Sequence, residues 1–341
     1  MNFIEAQKNV RNIEGFSCRA CNECNGIVCR GEIPGVGGKG SGSGFIRNYA
    51  KIKEVLLNMD TLYAPKEVDT SIELFGRSFE LPVFAAPIGG LYTIYGDKLT
   101  DYEYSKHILQ GCKLGGAAGF LGDGVKEEHF EGPIEALREV EGLGVPTIKP
   151  WENEEIFRKL DRAAETMAMA VAMDVDAAGL SILALEGKPV SPKSEVDLKA
   201  YVEHAKMPFV VKGIMTVGGA LKALNAGAYG IVVSNHGGRV LDYTPATIEV
   251  LPEIAKAVDG RMKIFIDGGI RSGHDVLKVL ALGADAVLIG RPYAVAAYGG
   301  GTEAVKSYTE QIGKELKDAM IMTGCNSLKD IDENVIYRGE F

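Results

Sequence analysis

No apolar run in this 341-residue chain reaches the ~18 residues that a membrane-spanning helix needs. The opening stretch, Met1 to Arg11, is polar and lacks the apolar core of a secretion signal. The expectation is a cytoplasmic protein with no membrane partner. Positive charge is in deficit: 37 Lys and Arg against 46 Asp and Glu leave a net charge of −9. That argues against nucleic acid as a partner. No dinucleotide fingerprint of the Rossmann kind, in which a G-x-G-x-x-G turn joins a strand to a helix, is present. Low-complexity sequence is confined to the glycine-rich stretch 35–44. Disulfides are not expected of a cytosolic chain, so the 6 cysteines need another account.

What is present is an ordinary apolar fraction, 46%, and many glycines, 43 of them. The first allows a large core; the second suits turns that pass close to a ligand. Apolar runs at 83–87, 117–121, 146–149, 168–174, 208–212, 230–234, 263–267 and 285–289 read as strands. Helix-like segments lie between and around them, among them 101–114, 126–141, 153–165, 216–226, 244–258 and 272–282. Strand–helix alternation in this order predicts a closed parallel (β/α)8 barrel, a TIM barrel. Residues 1–60 read differently: cysteines, then glycines, then a helix-like 45–58. The expected division is therefore an N-terminal cysteine- and glycine-rich extension over 1–60 and a barrel over 61–341. The tail 301–320 reads as helix. The longer polar connection 179–195, after the fourth strand, is a candidate substrate-covering loop.

Polar, glycine-rich sequence at strand ends is where a barrel keeps its chemistry. The sixth strand runs into Ser234-Asn235-His236-Gly237-Gly238-Arg239. A histidine there can take a proton, and an arginine three residues on can grip a carboxylate. The seventh and eighth strands end in Asp267-Gly268-Gly269-Ile270-Arg271 and Gly290-Arg291-Pro292. Bare backbone and cations at that place suit a phosphate. On these two loops alone, some other phosphate, such as a sugar phosphate, is the better match. Lys212, at the end of the fifth strand, should reach the barrel mouth. His107, His129, His204 and His274 fall in helix-like sequence and are not expected to be catalytic.

Lys212, the Ser234–Arg239 run, Asp267–Arg271 and Gly290–Pro292 match, in order and spacing, the FMN-dependent α-hydroxy acid oxidase and dehydrogenase family, which this chain resembles. The likeness is dense over 208–292, thinner over 60–175 and weak before 60. It implies FMN held by Pro87, Ile88, Gly89, Lys149, Lys212, Ser234, His236, Asp267, Gly268, Gly269, Arg271, Gly290 and Arg291. It implies a small-molecule acid substrate and a homo-oligomer. It assigns His236 as the base, Asp174 as the partner of its imidazolium, Arg239 as the carboxylate anchor, and Lys212 as the cation beside the reduced ring.

Departures from the family cluster on the substrate side. Asp176-Ala177-Ala178-Gly179-Leu180-Ser181 lacks the second arginine, and none follows before Arg239. The family's glutamine and tyrosine of the third strand correspond to Lys149 and Trp151, and the threonine before Asp174 to Ala172. Gly122-Asp123-Gly124 replaces a serine-rich end of the second strand. Cys29 or a neighbour stands for the N-terminal tyrosine. A plain glycolate or lactate oxidase is therefore not expected.

Cys18, Cys21, Cys24 and Cys29 are spaced C-x2-C-x2-C-x4-C. Such a set could hold [4Fe–4S] or Zn²⁺, or could be free or redox-active thiols near the barrel mouth. No proline follows the last cysteine, unlike ferredoxins. A metal centre would suit a dehydrogenase that passes electrons to a partner, of unknown identity, rather than to O2. Cys112 and Cys325 are expected to be structural. Two rivals remain: an FMN-dependent isopentenyl diphosphate isomerase of the second type, whose Gln-Glu metal pair finds no match, and a non-catalytic flavin and metal redox protein, which would not need His236 and Arg239.

Overall fold

A computed structural model describes residues 1–180, 183 and 186–339. Two helices come first, α1 (Phe3–Val10) and α2 (Ser43–Glu54), then a hairpin of β1 (Ile72–Leu74) and β2 (Arg77–Phe79). The barrel strands follow: β3 (Val83–Ala85), β4 (Ala118–Leu121), β5 (Val145–Ile148), β6 (Val171–Asp174), β7 (Phe209–Ile214), β8 (Gly230–Val233), β9 (Lys263–Ile266) and β10 (Ala286–Ile289). They close into one parallel barrel, β10 pairing with both β9 and β3. Each expected strand is present, most of them trimmed by a residue or more. The strands are buried on both faces, as their near-continuous apolar runs require.

Helices α3 (Leu91–Tyr95), α4 (Asp101–Leu114), α5 (Glu128–Arg138), α6 (Asn153–Ala164), α7 (Glu195–Ala205), α8 (Val217–Asn225), α9 (Thr247–Val258), α10 (Gly273–Ala281) and α11 (Arg291–Met322) wrap the barrel. Several begin at side chains suited to the task. Thr100, Ser194 and Ser272 each cap the amide three residues on and receive a carboxylate in return, from Glu103, Asp197 and Asp275. The expected tail helix is the second half of α11, which breaks at Gly301, where φ is 59°.

The hairpin is not legible as strands in the sequence, because each arm is only three residues long. It plugs the barrel floor. Phe75 at its tip stacks on Phe265 with ring centres 5.7 Å apart, and its amide donates to the Tyr229 hydroxyl at 3.0 Å. Inward-facing Phe84, Phe120, Val145, Ala172, Val210, Val232 and Phe265 fill the middle. The floor being packed, ligand space is left at the carboxyl ends of the strands. The N-terminal segment is no loose appendage: Ala6, Val10, Ala20, Val36 and Ile52 share one core with the outer barrel. Of the candidate covering loop, residues 181, 182, 184 and 185 lie outside the described residues.

Candidate active site

Strand alternation decides which side chains meet at the mouth. Side chains two residues apart share a face. Above inward-facing Ala172, Val210, Val232 and Phe265 therefore come Asp174, Lys212, Ser234 and Asp267, and Lys149 follows the end of β5. Lys212 Nζ donates to Asp174 Oδ1 at 3.0 Å and lies 3.8 Å from Asp267 Oδ2; Lys149 Nζ donates to Asp174 Oδ2 at 2.8 Å. Burial opposes the charge on Asp174, but His236, Lys149 and Lys212 outweigh it and hold the carboxyl well below its usual range. Burial likewise works against Lys212, and Asp174, Asp176 and Asp267 overcome it, so the ammonium is held more firmly than usual. The Asp267 carboxyl is pushed up by burial, with Lys212 opposing.

The histidine's partner differs from expectation. His236 Nδ1 meets Asp176 Oδ1 at 2.9 Å, whereas Asp174 Oδ1 is 3.4 Å away and both its oxygens already serve lysines. The cause is the 3-10 turn Val175–Gly179 that follows β6, which carries Asp176 back over the barrel mouth. Gly213, at φ 103° in a bulge of β7, leaves it room; a Cβ there would meet Asp176 Cγ at 2.5 Å. Burial raises the Asp176 carboxyl, Lys212 and His236 pulling the other way, and its Oδ2 is buried without a partner among the described residues. Asp174, Asp176 and His236 bring ligand atoms within 4.8 Å of one another. Lys149 and Lys212 already balance the charge there, so the trio is better matched to a proton than to a metal ion.

His236 itself sits at φ 57°, a left-handed conformation that costs a non-glycine residue of order 1–3 kcal/mol. The surrounding loop holds it. Its amide donates to Ser234 Oγ at 3.0 Å, and Ser234 Oγ donates to Asp267 Oδ2 at 2.9 Å. Ser234 thus stands behind the site and does not line the cavity. Asn235 exchanges amide hydrogen bonds with Asn48 of α2 at 2.7 and 3.1 Å.

A cavity of ≈ 170 Å³ opens over these groups. Pro87, Ile88, Gly89, Lys149, Lys212, His236, Arg239, Asp267, Gly268, Gly269, Arg271, Gly290 and Arg291 all line it, as expected. Arg239 and Arg291 are half-buried cations near each other; desolvation first, and then that proximity, brings Arg239 down to about 10. Arg239 donates to the carbonyls of Gly35 and Gly37, and Arg291 Nε to the carbonyl of Val36 at 2.8 Å. The arginines thereby tie the glycine-rich segment over the mouth.

Two expectations on the substrate side are corrected. Trp151 does not line the cavity; its indole N–H donates at 2.7 Å to Oδ2 of Asp123, a residue of the cavity wall that also holds buried Lys159 at 2.6 Å. Cys29 does not line it either; Tyr95, at the end of α3, brings a phenol to the same space. His129 does reach the cavity wall, although it is carried by a helix. Tyr95 and Asn48 are site residues that no motif in the sequence singles out. Asp176 is visible in Met-Asp-Val-Asp, but the sequence alone does not rank it above its neighbour Asp174.

A mouth that can grip a phosphate at one side and take a proton at the other serves a phosphorylated redox cofactor, which makes this barrel an oxidoreductase. The sequence profile of the FMN-dependent dehydrogenase family matches residues 36–182 and 190–338, and the chain belongs to that family. It is 32% identical to 4-hydroxymandelate oxidase of Amycolatopsis orientalis over 321 residues, 86% of this chain and 89% of the relative. To L-lactate oxidase of Lactobacillus jensenii it is 45% identical over 153 residues, 45% of this chain and 38% of the relative. Mandelate oxidase with (S)-4-hydroxymandelic acid superimposes with a TM-score of 0.79 at 25% identity, covering 98% of each chain. The residues here fit FMN. Asp267 Oδ1 is buried without a partner among the described residues, where a polyol hydroxyl could donate. Gly290 presents open space: a Cβ placed on it would find Ala86 Cβ as its nearest neighbour, 3.7 Å away. The family match favours no isomerase. No helix among the described residues is long and apolar enough to cross a membrane.

The four N-terminal cysteines precede the family match and line a second cavity. All are unpaired. Burial pushes the Cys18 thiol up to about 11 and raises Cys29 as well, so neither is an activated thiolate.

Proposed function

We propose that this protein oxidises a small 2-hydroxy acid with an apolar side chain. The observation that carries the reading is the His236–Asp176 pair at 2.9 Å, facing the same cavity as Arg239. FMN, when bound, supplies the acceptor for the substrate's electron pair. Gly268, Gly269, Arg271, Gly290 and Arg291 would hold its phosphate, and Lys212 and Lys149 are the cations that would offset negative charge on its ring. Arg239 receives the substrate carboxylate through its planar fork. His236 Nε2 takes the proton from the substrate hydroxyl while Asp176 steadies Nδ1–H. Ile88, Ile94, Val125, Leu180 and Leu183 give the cavity an apolar stretch of wall, which supports a hydrophobic side chain on the substrate. With one carboxylate-binding arginine rather than two, weaker binding of the smallest acids follows.

His236→Ala should keep FMN and lose flavin reduction by about 10²–10⁴-fold in single-turnover stopped flow. Reduction at near wild-type rate would remove His236 from the role of base. Free thiols at all the cysteines support residence in the reducing cytoplasm. Assembly as a homo-oligomer, a division at about residue 60, and a protein or quinone acceptor in place of O2 belong to the same proposal. So does a metal centre at the four cysteines, with an iron–sulfur cluster or zinc as its two candidate occupants.

A further inference from the structure

The second cavity, ≈ 180 Å³, lies between the N-terminal segment and the start of α11. Cys18, Cys21, Cys24 and Cys29 all line it. Val36, Arg271 and Arg291 line both this cavity and the FMN site, so the two are separated by one layer of side chains. The cysteine loop is built rather than loose. The Ala20 carbonyl receives Arg11 Nη2 at 2.8 Å, the Cys21 carbonyl receives Gln7 Nε2 at 3.2 Å, and the Cys24 carbonyl receives Arg271 Nε at 3.1 Å. Ala20 adopts φ 43°, a left-handed turn that lets the chain fold back around the space. Donors also point at sulfur: the Ala20 amide lies 3.4 Å from Cys18 Sγ and Arg271 Nη2 3.6 Å from Cys24 Sγ.

The separation of the sulfurs chooses between occupants. Zinc at about 2.3 Å from each of four thiolates places the sulfurs about 3.8 Å apart. Here no three of the four come within 4.8 Å of one another. They stand around a space far larger than the roughly 10–15 Å³ that one water needs. Sulfurs not gathered closely enough for one ion, around a roomy centre, suit a four-iron core between four cysteines, whereas a single ion would leave most of the space empty. We propose that Cys18, Cys21, Cys24 and Cys29 ligate a [4Fe–4S] cluster in this second cavity. Arg271 and Arg291 then offset the negative charge of the ligated core, and hydrogen bonds to the Cys18 and Cys24 sulfurs tune it.

The site deepens the redox reading but is measured apart from it. Full-length protein is isolated without oxygen, and iron, acid-labile sulfide, zinc and FMN are counted per chain. About four irons and four sulfides, with broad absorption near ~400 nm beside the flavin bands, is the expected result. Cys21→Ser and Cys24→Ser should each lose the iron and keep FMN, because thiolate ligands act as a set. One zinc without sulfide overturns the proposal, as does iron retained in both variants. Wild-type chain that stays metal-free after anaerobic reconstitution with iron and sulfide, all four thiols open to alkylation, also overturns it and needs no variant to fold. FMN content reports separately on the barrel site, so failure of one reading is not failure of the other.

Discussion

Asp176→Asn tests the part of the site where geometry and expectation disagree. The carboxylate accepts from His236 Nδ1 at 2.9 Å, and asparagine keeps the shape while removing the charge. A hydrogen bond to a charged partner contributes about 1.5–3 kcal/mol. The bond exists in the resting site, but it becomes a bond between two charges only as His236 turns into an imidazolium, in the transition state for proton removal. Its loss should slow flavin reduction by roughly 10- to 150-fold. The assay is anaerobic stopped flow at one fixed pH, with FMN content checked first. Asp174→Asn is the comparison. It removes the counterion shared by Lys149 and Lys212 and should chiefly destabilise the fold, by about 3–5 kcal/mol. Asp176→Asn with an undiminished rate, together with a rate loss of that size in an Asp174→Asn variant that keeps its FMN, would refute the pairing.

Arg239→Lys should raise KM for the acid substrate about 10- to 150-fold with a smaller change in kcat, because a point charge cannot reproduce the planar fork; steady-state kinetics on one acid and its amide separates the carboxylate contact from the rest. Lys159→Met leaves Asp123 charged and buried, with Trp151 Nε1 and the Lys149 amide as its remaining donors outside its own turn. It should lower stability by about 3–5 kcal/mol in urea unfolding of the FMN-loaded protein, and a loss below about 1 kcal/mol would show that the pair is not the brace described.

The barrel is legible in the sequence because its determinants are local. A strand buried on both faces must be apolar throughout, and each of β3 to β10 announces itself in that way between helical patterns. The strand-end loops are legible for a related reason: glycine and charge placed directly after an apolar run have little to do except face the mouth. His236, Lys212, Arg239, Asp267 and the loops at Gly268 and Gly290 therefore stand out in the sequence, and all line one cavity.

Tertiary structure alone decides what depends on where chain segments meet. A short turn after β6, and the room made by Gly213, give His236 to Asp176 rather than to Asp174. A buried lysine on α6 pairs with Asp123 of the cavity wall, and Asp123 holds the Trp151 indole outside the cavity, while α3 delivers Tyr95 in a different place. The hairpin floor rests on Phe75 reaching Phe265, a contact no three-residue strand could advertise. The cysteines show both limits together. Their spacing says that one loop can gather four thiols, but the distance between the sulfurs, the size of the space among them and the arginine wall they share with the FMN site exist only once that loop has packed against the barrel.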